Sequence, residues 1–149
     1  MIQYQDHIRD MTEASLAEGF FDGWPNPPSY SVFMQILKNA THVILAKDDQ
    51  SGQVVGFITA LSDRVLTAYI PLLEVVPAYQ KRGIGKELTR RMLDKLQGIY
   101  MVDFVVRSGS PEFLRTAWHE KSAGHADSQL RTSVRQPGAA INLKKRGIS

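Results

Sequence analysis

Lys81-Arg82-Gly83-Ile84-Gly85-Lys86 packs three cations and two glycines into one short turn. The apolar run Leu72-Leu73-Glu74-Val75-Val76 precedes it and is closed by Pro77, and an amphipathic stretch follows. Glycine lets a backbone approach a ligand closely, and the first N–H groups of a helix have no partner within that helix. The helix macrodipole and the side chains of Lys81, Arg82 and Lys86 favour a negatively charged guest, and a pyrophosphate suits donors arranged in this way. A glycine pair alone says little, since tight packing also uses glycine. Strand, proline, basic turn, Gly-x-Gly and helix in that order say more.

The elements that must hold this turn are legible in outline. Ile2 and Tyr4 alternate with polar residues as in a strand, and Thr12 is placed to cap a helix running to about Phe21. Pro25, Pro27 and Pro28 make the next segment an irregular loop, after which Ser31 opens a second helix with Val32, Phe33, Ile36 and Leu37 on one side. Residues 42–47 and 54–61 read as a hairpin around Asp48-Asp49-Gln50-Ser51-Gly52. The turn Ser62-Asp63-Arg64 leads into a long strand over 66–76. Ile84, Leu88, Met92 and Leu96 recur at spacing four in a helix over 84–97, and 99–106 is a further strand. Helices and strands in this order predict an α+β domain with a mostly antiparallel sheet flanked by helices.

Gln80-Lys81-Arg82-Gly83-Ile84-Gly85 resembles the Arg/Gln-x-x-Gly-x-Gly/Ala motif of the GNAT N-acetyltransferase superfamily, and Leu73-Glu74-Val75-Val76-Pro77 matches that family's central strand. The resemblance covers about residues 1–106. It implies the acyl-CoA N-acyltransferase fold, acetyl-CoA as co-substrate and a primary amine of a small molecule or protein as acceptor. It assigns the pyrophosphate to Lys81, Arg82, Gly83, Ile84, Gly85 and Lys86. It also implies a central strand that splays from its neighbour at a bulge, freeing backbone groups of Leu73, Glu74 and Val75 for the pantetheine and the thioester oxygen.

Direct transfer needs a deprotonated amine and a proton for the departing thiolate. Glu74 is the best-placed carboxylate for the base, directly or through water, and burial on a core strand would raise its pKa. The competing reading turns Glu74 toward solvent or a neighbouring cation. Tyr69, Asp63 and His42 are weaker candidates, with packing or turn formation as the alternative for each. Trp24, Tyr30 and Phe33 lie where the family commonly builds its acceptor site, though such aromatics more often pin a loop. Arg90-Arg91 reads as a solvated helix face, with a CoA phosphate as the alternative partner.

Composition removes several other classes. The 149 residues suit one domain, and the absence of cysteine excludes disulfides, thiolate metal sites and a cysteine nucleophile. His7, His42, His119 and His125 show no metal-ligand spacing, so no metal is expected. No apolar run approaches the ~18–20 residues of a membrane span, and the first residues lack a signal-peptide pattern, which predicts a soluble cytoplasmic protein. The net charge is −2 over residues 1–106 and +5 over 107–149, so the basicity belongs to the tail and nucleic acid is not an expected partner.

Residues 107–149 depart from the family and read as an atypical basic tail. They show no strand and no helical period, where the resemblance calls for a helix with a Phe-Tyr-x-x-x-Gly-hydrophobic motif and further strands. A frame shifted by one base restores part of this motif. Trp118 followed by His119 then forces a glycine codon, and Leu114 followed by Arg115 permits tyrosine four positions earlier. One base gained near Val105–Val106 accounts for the pattern; a native basic tail is the alternative. As written, the tail would leave the strand after Ile99 without a partner, and such an edge favours a homodimer or aggregation. The readings are thus an N-acetyltransferase, a CoA-binding domain that has lost transfer, and an unrelated phosphate-binding module.

Overall fold

Six strands form one sheet in the order of the sequence, and five of them are apolar enough to be read from the letters. A computed structural model describes residues 1–106, 115, 116, 118 and 129–134. The elements are β1 (Ile2–Gln5), α1 (Tyr30–Asn39), β2 (His42–Asp48), β3 (Val54–Ser62), β4 (Thr67–Val75), α2 (Ile84–Lys95), β5 (Met101–Val106) and β6 (Gln129–Val134). Strands β1 to β4 pair antiparallel in succession, whereas β4–β5 and β5–β6 are parallel. A parallel pair needs a crossover, and α2 supplies the one between β4 and β5.

The turns have identifiable chemistry. In the β2–β3 turn, Gly52 takes φ +71° and Asp48 Oδ1 accepts the Gln50 N–H at 3.2 Å. In the β3–β4 turn, Asp63 Oδ1 accepts the N–H groups of Val65, Leu66 and Thr67 at 2.8 to 3.1 Å. Asp63 is therefore a turn former.

Both sheet faces are covered. On one, α2 buries Ile84, Leu88, Met92 and Leu93 against β2 to β5, as its period requires. On the other, Phe21, Phe33, Leu37, Leu45, Val54 and Phe57 cluster beneath α1, with the Phe33 and Phe57 rings edge to face at 4.9 Å.

Three expectations are corrected. The segment after Thr12 forms only a 3₁₀ turn, Glu13–Ser15, instead of a helix to Phe21. Leu16 returns to extended backbone beside Val54, and Gly19 at φ +103° and Phe21 at φ +60° cannot continue a helix. The second helix starts one residue before Ser31, because Ser29 is its N-cap and accepts the Val32 N–H at 3.3 Å. The tail does contain a strand: β6 pairs with β5 from Met101↔Gln129 to Val106↔Val134, so β5 has its partner. Its letters alternate Leu130, Thr132, Val134 with Gln129, Arg131, Ser133, a short period-2 signal obscured by polar surroundings. Trp118 lies in helical backbone and packs against the α2-side core. The codon argument on Leu114 and His119 falls on residues outside the described ones.

Helix α2 lies close to the sheet at Gly56 on β3. A Cβ there would meet the Glu74 carbonyl at 3.1 Å, Val75 Cγ2 at 3.2 Å and Leu88 Cδ1 at 3.3 Å. Gly56→Ala should therefore destabilise the chain by about 1–3 kcal/mol through overpacking, read as a lowered urea midpoint with an unchanged slope. An unchanged midpoint would show that α2 moves aside freely.

Candidate functional site

Pro71 decides the shape of β4. It carries no N–H, and a proline inside a sheet belongs at an edge or a bulge. Between Thr59↔Leu72 and Leu61↔Tyr69, three steps along β4 match two along β3, so β4 holds one extra residue around Ile70–Pro71. The pairing to β5 stops at Ile70↔Phe104, while the pairing to β3 continues to Val75. From Leu72 to Val75, β4 therefore keeps β3 on one side and has no paired strand on the other among the described residues. On that side Val75 O accepts Gln80 Nε2 at 2.9 Å, and the remaining backbone polar groups have no strand partner among the described residues.

That gap leads to the basic turn. The Val76 N–H donates to Val55 O at 2.9 Å, and a single 3₁₀ turn, Pro77–Tyr79, redirects the chain. Lys81 at φ +62° and Gly83 at φ +80° then put two residues, one on each side of Arg82, into the left-handed region, a nest-like arrangement of N–H groups. Gly83 is the N-cap of α2 and offers no side chain to the helix's first N–H groups. Gly85 is less crowded: among the described residues a Cβ there would meet Val75 Cγ2 at 3.9 Å, an ordinary contact. A notch of about 280 Å³ lies over these groups, lined by Val75, Tyr79, Gln80, Lys81, Gly83, Ile84, Gly85 and Lys86.

The cations of the turn are exposed, and among the described residues Lys81, Arg82 and Lys86 make no ion pair. The cations at the other end of α2 differ. Arg90 bonds Glu87 and Asp94, Arg91 bonds Glu87 and lies 4.5 Å over the Tyr4 ring, and Lys95 bonds Asp6. They line a wider cleft of about 490 Å³ whose charges are satisfied internally. Arg90 and Arg91 are thus committed to contacts around their own helix, whereas Lys81, Arg82 and Lys86 make no ion pair among the described residues.

Of the sequence-selected residues, Val75, Lys81, Gly83, Ile84, Gly85 and Lys86 meet in the notch. Arg82 stands beside it, its guanidinium 4.8 Å from the Tyr79 ring centre. Leu73 and Glu74 lie on the unpaired stretch of β4, with Leu73 on the α2 side. Glu74 is half-buried opposite Phe57, and its Oε1 accepts the Phe21 N–H. The carboxylate thus faces the aromatic side of the sheet and fixes a left-handed turn there.

The weaker candidates lie elsewhere. Tyr69, beside Leu61 and Asp103, is below the bulge, and His42, opposite Ala60, has its pKa lowered by burial and then by nearby Lys95 and Arg64. Phe33 is core, Tyr30 donates to Met11 O at 3.4 Å, and Trp24 packs edge-on to Phe21 at 5.3 Å, all serving to pin the Pro-rich loop.

Sequence reading missed Pro71, whose place inside an apolar run was the available signal. It placed Gln80 in the motif but did not foresee that its Nε2 donates to Val75 O at 2.9 Å, nor the contact of Tyr79 with Asp48, which no local pattern announces. Among the described residues, no group of three or more His, Asp or Glu is placed to hold a metal, and no helix is long and apolar enough to cross a membrane.

Comparison with known proteins agrees with this geometry. The profile of the acetyltransferase (GNAT) family matches residues 9–109. The chain is similar to a candidate acetyltransferase from Deinococcus radiodurans R1, with 40% identity over 86% of this chain and 85% of that one, at a TM-score of 0.67. A GNAT family acetyltransferase from Streptococcus pneumoniae TIGR4 is 26% identical over 78% of this chain and 85% of its own, at a TM-score of 0.62. Ard1 of Thermoplasma volcanium shares the fold, with 19% identity over 83% and 81% and a TM-score of 0.56. No curated protein matches the chain.

The ion network on α2 makes the helix that carries the notch sensitive to acid. The hydrogen bond from Arg90, with a second from Arg91, outweighs burial and lowers the Glu87 pKa to about 2. A carboxylate depressed in the folded state stabilises it above the unfolded pKa, and that contribution is lost as pH falls. Glu87→Gln should cost about 0.5 kcal/mol at pH 7, a small figure because the pair is partly solvated. The difference from the parent chain should shrink from pH 4.5 toward about 2. Denaturant melts across that range check this; a difference independent of pH would remove the network from the account.

Proposed function

We propose that this chain, which belongs to the GNAT acetyltransferase family, transfers an acetyl group from acetyl-CoA to a primary amine of a small molecule or protein. The observation that carries the reading is the meeting of the open stretch Leu72–Val75 with the unpaired-cation notch at the start of α2. A ligand with a pantetheine arm and a pyrophosphate needs both surfaces in one line. The pyrophosphate would accept from N–H groups between Lys81 and Lys86, with Lys81, Arg82 and Lys86 screening its charge. The arm would run along the free side of β4 as an added strand does.

In the transfer step the amine nitrogen attacks the thioester carbonyl carbon, the C–N bond forms and the C–S bond breaks. Backbone N–H groups of the open stretch are suited to the developing oxyanion. Glu74 is the carboxylate on that stretch, and it would take the amine proton directly or through one water. Its Oε1 accepts the Phe21 N–H, which holds the carboxylate on that stretch. The aromatic side of the sheet, with Phe21 and Trp24, would then border the acceptor.

Two measurements test the reading. Gly83 sits at φ +80°, which a β-branched residue adopts only with strain. Gly83→Val should weaken acetyl-CoA binding by about tenfold or more, and Gly83→Asn by less, in calorimetric titration. Equal affinity in all three proteins would place the ligand elsewhere.

Glu74→Gln keeps an oxygen for Phe21 but cannot take a proton. Thiol release with a panel of amines should show kcat lowered about a hundredfold, with the KM for acetyl-CoA little changed. Full activity would exclude Glu74 as the base.

A further inference from the structure

Asp48 closes β2 and stands 31 residues before Tyr79, yet the two meet. Its Oδ2 accepts the Tyr79 hydroxyl at 2.7 Å and the Ser51 hydroxyl at 3.3 Å, and its Oδ1 accepts the Gln50 N–H at 3.2 Å. Three donors hold one carboxylate rotamer in a residue that is only 9% exposed. The Tyr79 ring fixed in this way lines the notch and carries the Arg82 guanidinium 4.8 Å from its centre.

We propose that Asp48 is a positioning residue for the pyrophosphate turn, acting through Tyr79 to hold the turn and Arg82 ready before the ligand arrives. The inference rests on the reading of the turn as an acetyl-CoA site and deepens it. The need is physical. The turn is exposed and contains two left-handed residues, Lys81 and Gly83. Its start is tied by Gln80 Nε2 to Val75 O, a bond between exposed groups that water competes for. Ordering such a segment at the moment of binding subtracts from affinity, and a pre-set turn avoids that loss. The hydrogen bond from Tyr79, followed by those from Gln50 and Ser51, keeps the Asp48 carboxyl below its usual range, while the same bond raises the Tyr79 phenol. Donor and acceptor therefore persist in their bonded forms through neutral pH.

Tyr79→Phe removes one oxygen and keeps the ring, and Asp48→Ala removes the anchor from the opposite side. Both are made in the full chain, with thermal melts to show that each remains folded, and are titrated with acetyl-CoA and with S-acetylpantetheine, which lacks the phosphates. The expected result is a Kd for acetyl-CoA raised about three- to tenfold in Tyr79→Phe, an unchanged Kd for S-acetylpantetheine, and a double variant no weaker than Asp48→Ala alone. Binding by the parent chain with no loss in Tyr79→Phe would overturn the positioning role, as would equal losses for the two ligands. Failure of the parent chain itself to bind acetyl-CoA would instead sink the reading of the turn.

Discussion

The pairing between β4 and β5 ends at Ile70, and most of what this molecule offers a ligand depends on that ending. A continuous parallel pair would satisfy every backbone group on that side of β4 and leave nothing for a guest. Pro71 withholds one N–H, and the extra residue beside it alters the stagger against β3. The antiparallel partner tolerates the bulge and resumes at Leu72, whereas the parallel partner does not resume. The central strand is thus anchored by β3 on one side and, among the described residues, has no strand on the other for the length of Leu72–Val75.

The basic turn gains its meaning from where that open stretch ends. Val76 is buried and bonded to Val55, so the chain leaves the sheet at a fixed point and enters Pro77–Tyr79. Close contact of α2 with the sheet at Gly56 then seats the helix that follows the turn. Among the described residues the cations of the turn make no ion pair, whereas those at the other end of α2 are paired and stabilise the helix.

The two faces of the sheet divide the remaining labour. The α2 face is aliphatic and closely packed, as a support for the turn requires. The α1 face is built from phenylalanine rings, and there Glu74 holds the Phe21 turn by a backbone bond. A carboxylate placed among apolar groups needs such a donor to be stable in that position. The same bond ties the irregular segment before α1 to β4, so that segment is fixed relative to the stretch beyond the bulge.

Local chemistry made much of this legible from the letters. Spacing four in Ile84, Leu88, Met92 and Leu96, the apolar run before Pro77, the hairpin turn ending in Gly52 and the Gly83–Gly85 pair each depend on neighbours within a few residues. Where local signals misled, a longer contact or a backbone angle had intervened: Leu16 left the helix expected after Thr12 to lie beside Val54, and β6 found β5 from within a polar tail. The sequence by itself determined the strand–turn–helix unit, its basic turn and the family resemblance that follows from them. Only the tertiary structure decided that β4 parts from β5 at Pro71, that Glu74 turns to Phe21 and that Tyr79 is held by Asp48. Those outcomes depend on register and on contacts between residues 31 and 53 positions apart, which no periodicity within one segment encodes.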